Sequence, residues 1–433
     1  MEASRWAFID GYRPRSVSAD KRGSVQRVVV TGIGLTSCLG QDLATVAGAL
    51  RAGDSGIVRD PERVALGFRS PLTGQLTGFD PKALLGRKER RSMNEPALYA
   101  GCSAVKALSD ARLDRSEVSG PMVGVILGND SQVGDASAVV DRTRGDGGTR
   151  NLGSSAVVDC MNSSPSINLS VLLKSQGACW TLSAACASGA HAIGQAWGLI
   201  ATGQQDVVVC GGVQEIGWRG MAGFDGLGAF STHEGDPGDA VRPFSHDRDG
   251  LVPSGGGAVL ILESLDHARA RDARVRAEVL SYAFSSDGHH VTSPSGAGAA
   301  RCIRSAIERA GLGPSDIDYL NAHAAGTRVG DEIEARAIVE VFGGACPPVS
   351  STKSLTGHEC WMAGASEVAY SLLMAEGGFL APNRNFSGAD EGLESLDVVA
   401  APRDVSSRYL LSNSFGFGGT NACLVLDAEP GLV

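Results

Sequence analysis

Thr181-Leu-Ser-Ala-Ala-Cys186-Ala-Ser-Gly-Ala-His191-Ala-Ile-Gly-Gln-Ala196 joins the end of a strand-like run to a helix made almost wholly of small residues. Glycine inside a helix costs about 1 kcal/mol of propensity relative to alanine. A helix built this way therefore implies that other backbone packs against it at very short range. If Cys186 sits in the helix's first turn, unpaired N–H groups and the positive end of the helix dipole favour thiolate and draw its pKa below about 8.5. That makes Cys186 a candidate nucleophile, set against the plainer reading of an inert buried thiol.

Working outward, short β-branched runs recur at Val28 to Val30, Val123 to Leu127, Val207 to Cys210, Ala258 to Leu262, Ile317 to Leu320 and Tyr409 to Leu411. Helical patterns separate them, which predicts layered α/β architecture. One helix is expected over Pro96 to Ala111, with Asn94 as cap and Leu98, Cys102, Val105 and Leu108 in one apolar stripe. Another is expected over Ala300 to Ala310, closed by Gly311. The polar stretch Ala268-Arg-Ala-Arg-Asp272 divides the chain into an N-terminal half, 27–268, and a C-terminal half, 269–433. Residues 1–26 lack periodicity and read as a flexible arm. The halves have similar element content but show no sequence repeat.

Composition narrows the function. The 433 residues are 43% hydrophobic and 20% charged, which excludes a disordered tail or a disulfide miniprotein. Lys and Arg number 38 against 48 acidic residues, a net charge of −10, and this disfavours nucleic acid or an anionic membrane as main partner. Ten cysteines without a C-x-x-C pair indicate a reducing, cytoplasmic setting. There is no run of 18 apolar residues and no signal-like start.

Two histidines join Cys186. Asn321-Ala-His323 ends one strand, and Ser351-Thr-Lys353-Ser-Leu-Thr-Gly-His358 follows another; sites are commonly built at strand ends. Ser412-Asn-Ser-Phe-Gly-Phe417-Gly-Gly-Thr-Asn421 supplies the free backbone N–H groups that an oxyanion hole needs. In this order and spacing, TLSAACASG, NAH, STKSLTGH and SNSFGFGGTN resemble the β-ketoacyl-acyl-carrier-protein synthases, elongating condensing enzymes of thiolase fold, over about residues 27 to 428.

The resemblance implies a thiolase-like fold, with duplicated α/β halves in five αβαβα layers. Cys186 accepts an acyl group, and His323 and His358 stabilise the enolate formed as a malonyl extender loses CO₂. Backbone N–H groups of Cys186 and Phe417 form the oxyanion hole. Lys353, with Glu334 as ion-pair partner and Asp331 nearby, orders the histidines. Phe417 gates between acyl and malonyl pockets, Phe224 lines the acyl tunnel, and Thr292 and Thr327 contact pantetheine. The basic group Arg87, Lys88, Arg90 and Arg91 is expected to dock an acidic acyl carrier protein. A homodimer, or a heterodimer with a ketosynthase-like subunit, is implied. No metal and no diffusible cofactor is expected.

Three departures from the family pattern stand out. Ala324-Ala325 replaces the usual Gly-Thr after His323, Pro253-Ser-Gly-Gly-Gly257 replaces Gly-Glu-Gly, and Trp361 stands where a glycine is common. With the Arg328-to-Glu334 run, they lean toward specialised metabolism. The alternatives are a condensing-fold acyltransferase that forms an ester or amide without decarboxylation, and a chain-length partner of a heterodimeric synthase. A cysteine hydrolase leaves the second histidine unexplained. A dinucleotide loop at Thr31-Gly-Ile-Gly34 lacks its third glycine, with Ser37 in that place.

Overall fold

Ten strands form one continuous sheet in two sets of five. The first set is β1 (Val28–Thr36), β2 (Val123–Gly128), β3 (Cys179–Leu182), β4 (Val207–Gln214) and β5 (Gly256–Ser264). The second is β6 (Ala277–Ser286), β7 (Tyr319–Asn321), β8 (Val349–Ser350), β9 (Tyr409–Gly416) and β10 (Thr420–Asp427). The computed structural model describes residues 25–429, so the arm expected over 1–26 lies, as far as residue 24, outside the described residues.

The strand order is β8-β7-β9-β10-β6-β1-β5-β4-β2-β3. Both halves share one wiring. The first strand of each pairs antiparallel with the fifth, and the fifth antiparallel with the fourth. The fourth runs parallel to the second, and the second parallel to the third. The halves join where β1 meets β6, with Val29 opposite Glu278 and Val30 opposite Ala277. This is a structural duplication with no visible sequence repeat.

Six helices complete the layers: α1 (Glu95–Ala111), α2 (Ser164–Leu173), α3 (Ser188–Ala201), α4 (Ala297–Arg309), α5 (Arg328–Phe342) and α6 (Ala363–Gly377). α1 and α2 pack on the first set of strands, α4 on the second, and α5 on α4. α3 touches β2 and β4 of one half and β6 and β10 of the other, while α6 touches β4, β5 and β9. The result is the five-layer αβαβα arrangement that the resemblance implies. In β4, Val207 and Val209 join the outer core while Val208 and Cys210 join the middle one. A strand covered on both faces reads as an unbroken apolar run, as these do.

The small residues of α3 have the use expected of them. A Cβ on Gly189 would lie 3.0 Å from the Ala365 nitrogen of α6 and 3.0 Å from the Trp361 carbonyl oxygen. α1 starts at Glu95, where the Asn94 side chain accepts from the Ala97 N–H at 3.2 Å. No strand is predicted at Ala277–Ser286, because Glu278, Ser281 and Ser285 interrupt its apolar signal.

Candidate active site

The third strand of each half runs through a turn into a middle-layer helix, and each turn carries a reactive side chain. Cys186 lies between β3 and α3, and His358 between β8 and α6. Each turn also contains a non-glycine residue in left-handed backbone, Ala185 at φ 47° and Cys360 at φ 44°. Such backbone costs about 1–2 kcal/mol per residue, so its surroundings must hold it. Around Ala185, Asp130 Oδ2 accepts from the Ala185 N–H at 2.7 Å. Ser188 Oγ accepts from the Ala184 N–H at 2.8 Å and donates to the Ala185 carbonyl at 2.6 Å.

Cys186 does not occupy the first turn of a helix. α3 begins at Ser188 with Ala187 as its cap, so the thiol lies beyond the helix end. It is buried, and burial pushes it up to about 12 against the opposing pull of Lys353. The expectation of a depressed pKa is therefore overturned, because loss of water outweighs the terminal dipole.

His323 follows β7 and brings the second imidazole. The Cys186 sulfur and one nitrogen from each histidine lie within 4.8 Å of one another. The two rings are 5.2 Å apart and edge-on at 85°. Burial holds both imidazoles well below the usual histidine range, assisted by Lys353 and, for His323, by His358. The His323 Nδ1 lies 3.5 Å from the Lys353 ammonium, a pure donor; this contact leaves the proton of His323 on Nε2. Among the described residues, these three side chains also form the one cluster convergent enough to hold a metal.

The supporting carboxylates are arranged differently from the sequence expectation. Lys353 ion-pairs with Glu367 on α6, both fully buried. Glu334 accepts from the His323 backbone N–H at 2.9 Å and from Asn413 Nδ2 at 3.1 Å. It therefore fixes the histidine's main chain and is not the lysine's partner. Asp331 accepts from the N–H groups of Phe244, Ala325, Gly326 and Thr327 at 3.0 to 3.2 Å and so clamps the loop after His323. Burial raises Glu334 to about 7 and Asp331 to about 6.

A cavity of about 460 Å³ opens onto these groups, and Cys186, His323, His358, Phe224, Phe417, Thr292 and Thr327 all line it. Phe224 stacks on Phe417 with centroids 6.0 Å apart. The Phe417 turn abuts the Cys186 turn, since a Cβ on Gly416 would lie 2.9 Å from the Ala184 carbonyl oxygen. Arg87, Lys88, Arg90 and Arg91 do not line the cavity. They belong to a short helix and its end, where Arg87, Lys88 and Arg91 are exposed and Arg90 is half-buried.

Family comparison decides what this geometry belongs to. Residues 25–268 match the β-ketoacyl synthase N-terminal domain and residues 276–387 its C-terminal domain. The chain belongs to the β-ketoacyl synthase family. It is 40% identical to the 3-oxoacyl-[acyl-carrier-protein] synthase 1 of Haemophilus influenzae, over 94% of this chain and 100% of that protein. A β-ketoacyl synthase from Burkholderia phymatum superposes with TM-score 0.88 at 34% identity, covering 93% of this chain and 100% of the other. The ishigamide ketosynthase/chain length factor does so with TM-score 0.87 at 30% identity, covering 94% and 100%.

Sequence reading of this β-ketoacyl synthase missed Glu367, Asn413 and Glu359. The signal for Glu367 was present: it is the one charged residue between Ala363 and Ala375, in a helix buried almost throughout. Glu359 accepts from Tyr370 Oη at 2.8 Å and from Ser366, and burial raises it to about 7. His191, read as structural, braces the two halves. Its ring nitrogens reach Tyr282 Oη at 2.5 Å and Thr420 Oγ1 at 3.0 Å.

Proposed function

We propose that this β-ketoacyl synthase condenses an acyl group on Cys186 with a malonyl-type extender on acyl carrier protein, releasing CO₂ and a β-ketoacyl carrier protein. In the first step the Cys186 sulfur bonds the acyl carbon, the pantetheine C–S bond breaks, and the thiol proton passes to the departing thiolate. In the second, the malonyl carboxylate leaves as CO₂. The enolate oxygen accepts from His323 and His358, and the enolate carbon displaces Cys186 from the acyl carbonyl. The Cys186 thiolate left behind then takes a proton from water. The backbone N–H groups of Cys186 and Phe417 hold the tetrahedral oxyanion. The observation that carries this reading is the convergence of one thiol and two uncharged imidazoles within 4.8 Å.

Lys353, with Glu334 and Asp331, acts by positioning the histidines. Thr292 and Thr327 face the pantetheine arm in the cavity, and Ala325 removes one hydroxyl from that path. The exposed Arg87, Lys88 and Arg91, with Arg90, supply positive charge for an acidic carrier on a chain of net charge −10. The reaction needs no metal and no diffusible cofactor. A cytoplasmic setting fits the free cysteines, and among the described residues no helix is long and apolar enough to cross a membrane. The edge strand β3, with its Trp180 exposed by 45%, and Val171 on the packed helix α2, exposed by 73%, support a dimer in which two such edges meet. Ala324-Ala325 and Trp361 support a specialised acyl substrate. They also favour the second reading, acyl transfer without decarboxylation.

The test is intact-protein mass spectrometry with an acyl carrier protein donor, followed by labelled malonyl carrier protein. Wild type should gain one acyl group and release labelled CO₂. An adduct persisting on Cys186→Ala would overturn the nucleophile, and acylation without CO₂ release would favour the second reading.

A further inference from the structure

Cys186 borders two different environments. On one side is the 460 Å³ cavity with the histidines. On the other is an apolar cluster that packs Cys186 with Met221, Phe230, Leu251, Cys360 and Trp361, with Phe224 at its margin. Trp361, Phe230, Met221 and Cys360 do not line the cavity. An extender entering the cavity must reach both histidines, so an acyl group already on Cys186 has to vacate that space. The cluster is the other apolar surface that Cys186 packs against.

Its walls differ in what they can yield. Phe224 is only half-buried and touches the other aromatics at 6.0 to 6.2 Å between centroids, stacked on Phe230 and Phe417 and tilted to Trp361. A rotation there opens the cluster. The main chain of Trp361 is fixed, since its carbonyl oxygen would lie 3.0 Å from a Cβ on Gly189 and 2.7 Å from one on Gly212, and its side chain is buried. The neighbouring Cys360 is already in strained left-handed backbone. The indole fills the space beside the nucleophile with the largest of all side chains.

Resting on the proposed condensation, we propose that Trp361 is the fixed end wall of the acyl site and restricts Cys186 to short acyl groups. The indole N–H has no hydrogen-bond partner, so packing alone holds the ring. Phenylalanine can then keep the wall without leaving a polar group unpaired.

The experiment is the rate of Cys186 acylation, by intact mass, from acetyl, butyryl, octanoyl and decanoyl thioesters of acyl carrier protein. One methylene too many in a closed apolar pocket costs about 10- to 200-fold. Wild type should therefore favour butyryl over decanoyl by about 100-fold or more. Trp361→Gly should lower that ratio to about tenfold or less, and Trp361→Phe should keep most of it. Trp361→Leu, giving an intermediate ratio, serves if the glycine variant does not fold. Equal labelling of wild type by butyryl and decanoyl overturns the wall, as does a folded glycine or leucine variant with the wild-type ratio. Absence of labelling by every thioester overturns the condensation reading itself, and the wall with it.

Discussion

Lys353 pairs with Glu367, fourteen residues further on in the middle helical layer, while Glu334 holds the main chain of His323. The charge that assists burial in keeping both imidazoles neutral is thus anchored from inside the core. Removing one partner of a buried ion pair typically costs about 3–5 kcal/mol, because the other charge is left stranded. Glu367→Gln should destabilise the protein by that amount in urea denaturation, and Lys353→Met combined with Glu367→Leu should recover most of it. Glu334→Gln keeps an oxygen for the His323 N–H and should cost about 1 kcal/mol. Equal losses for the two glutamines would contradict this division.

Burial of Cys186 makes a prediction of opposite sign to that of a helix-end thiolate. With the thiol pushed up to about 12, the reactive thiolate fraction grows about tenfold per pH unit across the measurable range. Iodoacetamide should therefore modify Cys186 at a rate that keeps climbing from pH 7 to pH 10. A plateau near pH 8, followed by peptide mass mapping, would show that the dipole prevails after all.

The two histidines are expected to matter unequally for the two half-reactions. His358→Ala should still acylate itself from an acyl carrier donor but lose malonyl decarboxylation by about 100- to 1,000-fold, the usual effect of deleting one oxyanion donor. Stopped assays of adduct formation and of labelled CO₂ release separate the steps. Equal loss in both would deny that the imidazoles serve the enolate.

The exposed edge at β3 should govern assembly. Trp180→Glu places a charge on an edge strand packed by the helix that carries Val171, the kind of residue that blocks edge-to-edge pairing. Sedimentation should find a wild-type dimer and a variant that dissociates at micromolar concentration. A monomeric wild type would remove the basis for the dimer.

Much of this was legible in the residues. The strand at Val207, the capped helix after Asn94 and the close-packed helix after Cys186 all carry local signals that the structure keeps. The four motifs brought the thiol, both histidines and the Phe417 turn to one cavity. The duplication was legible only through the family resemblance, leaving no repeat in the residues because it lives in strand order, which distant pairings set, and Ala277–Ser286 was hidden by its polar residues. The partner of Lys353 was misread because Glu334 is near the histidine in sequence. Glu367 approaches only once α6 has packed into the middle layer. The state of the Cys186 thiol depended on burial, a property of the assembled whole.

The thiol belongs to one half of the duplicated fold and both imidazoles to the other. A ribosome adding roughly 5–20 residues per second releases Cys186 several seconds or more before His323 and His358 exist. Throughout that interval α3 lacks β10 and α6, two of the surfaces that later cover it. The nascent chain therefore carries the proposed nucleophile without the histidines proposed to activate an extender. Catalysis begins only when synthesis is nearly finished and the second half closes over the first.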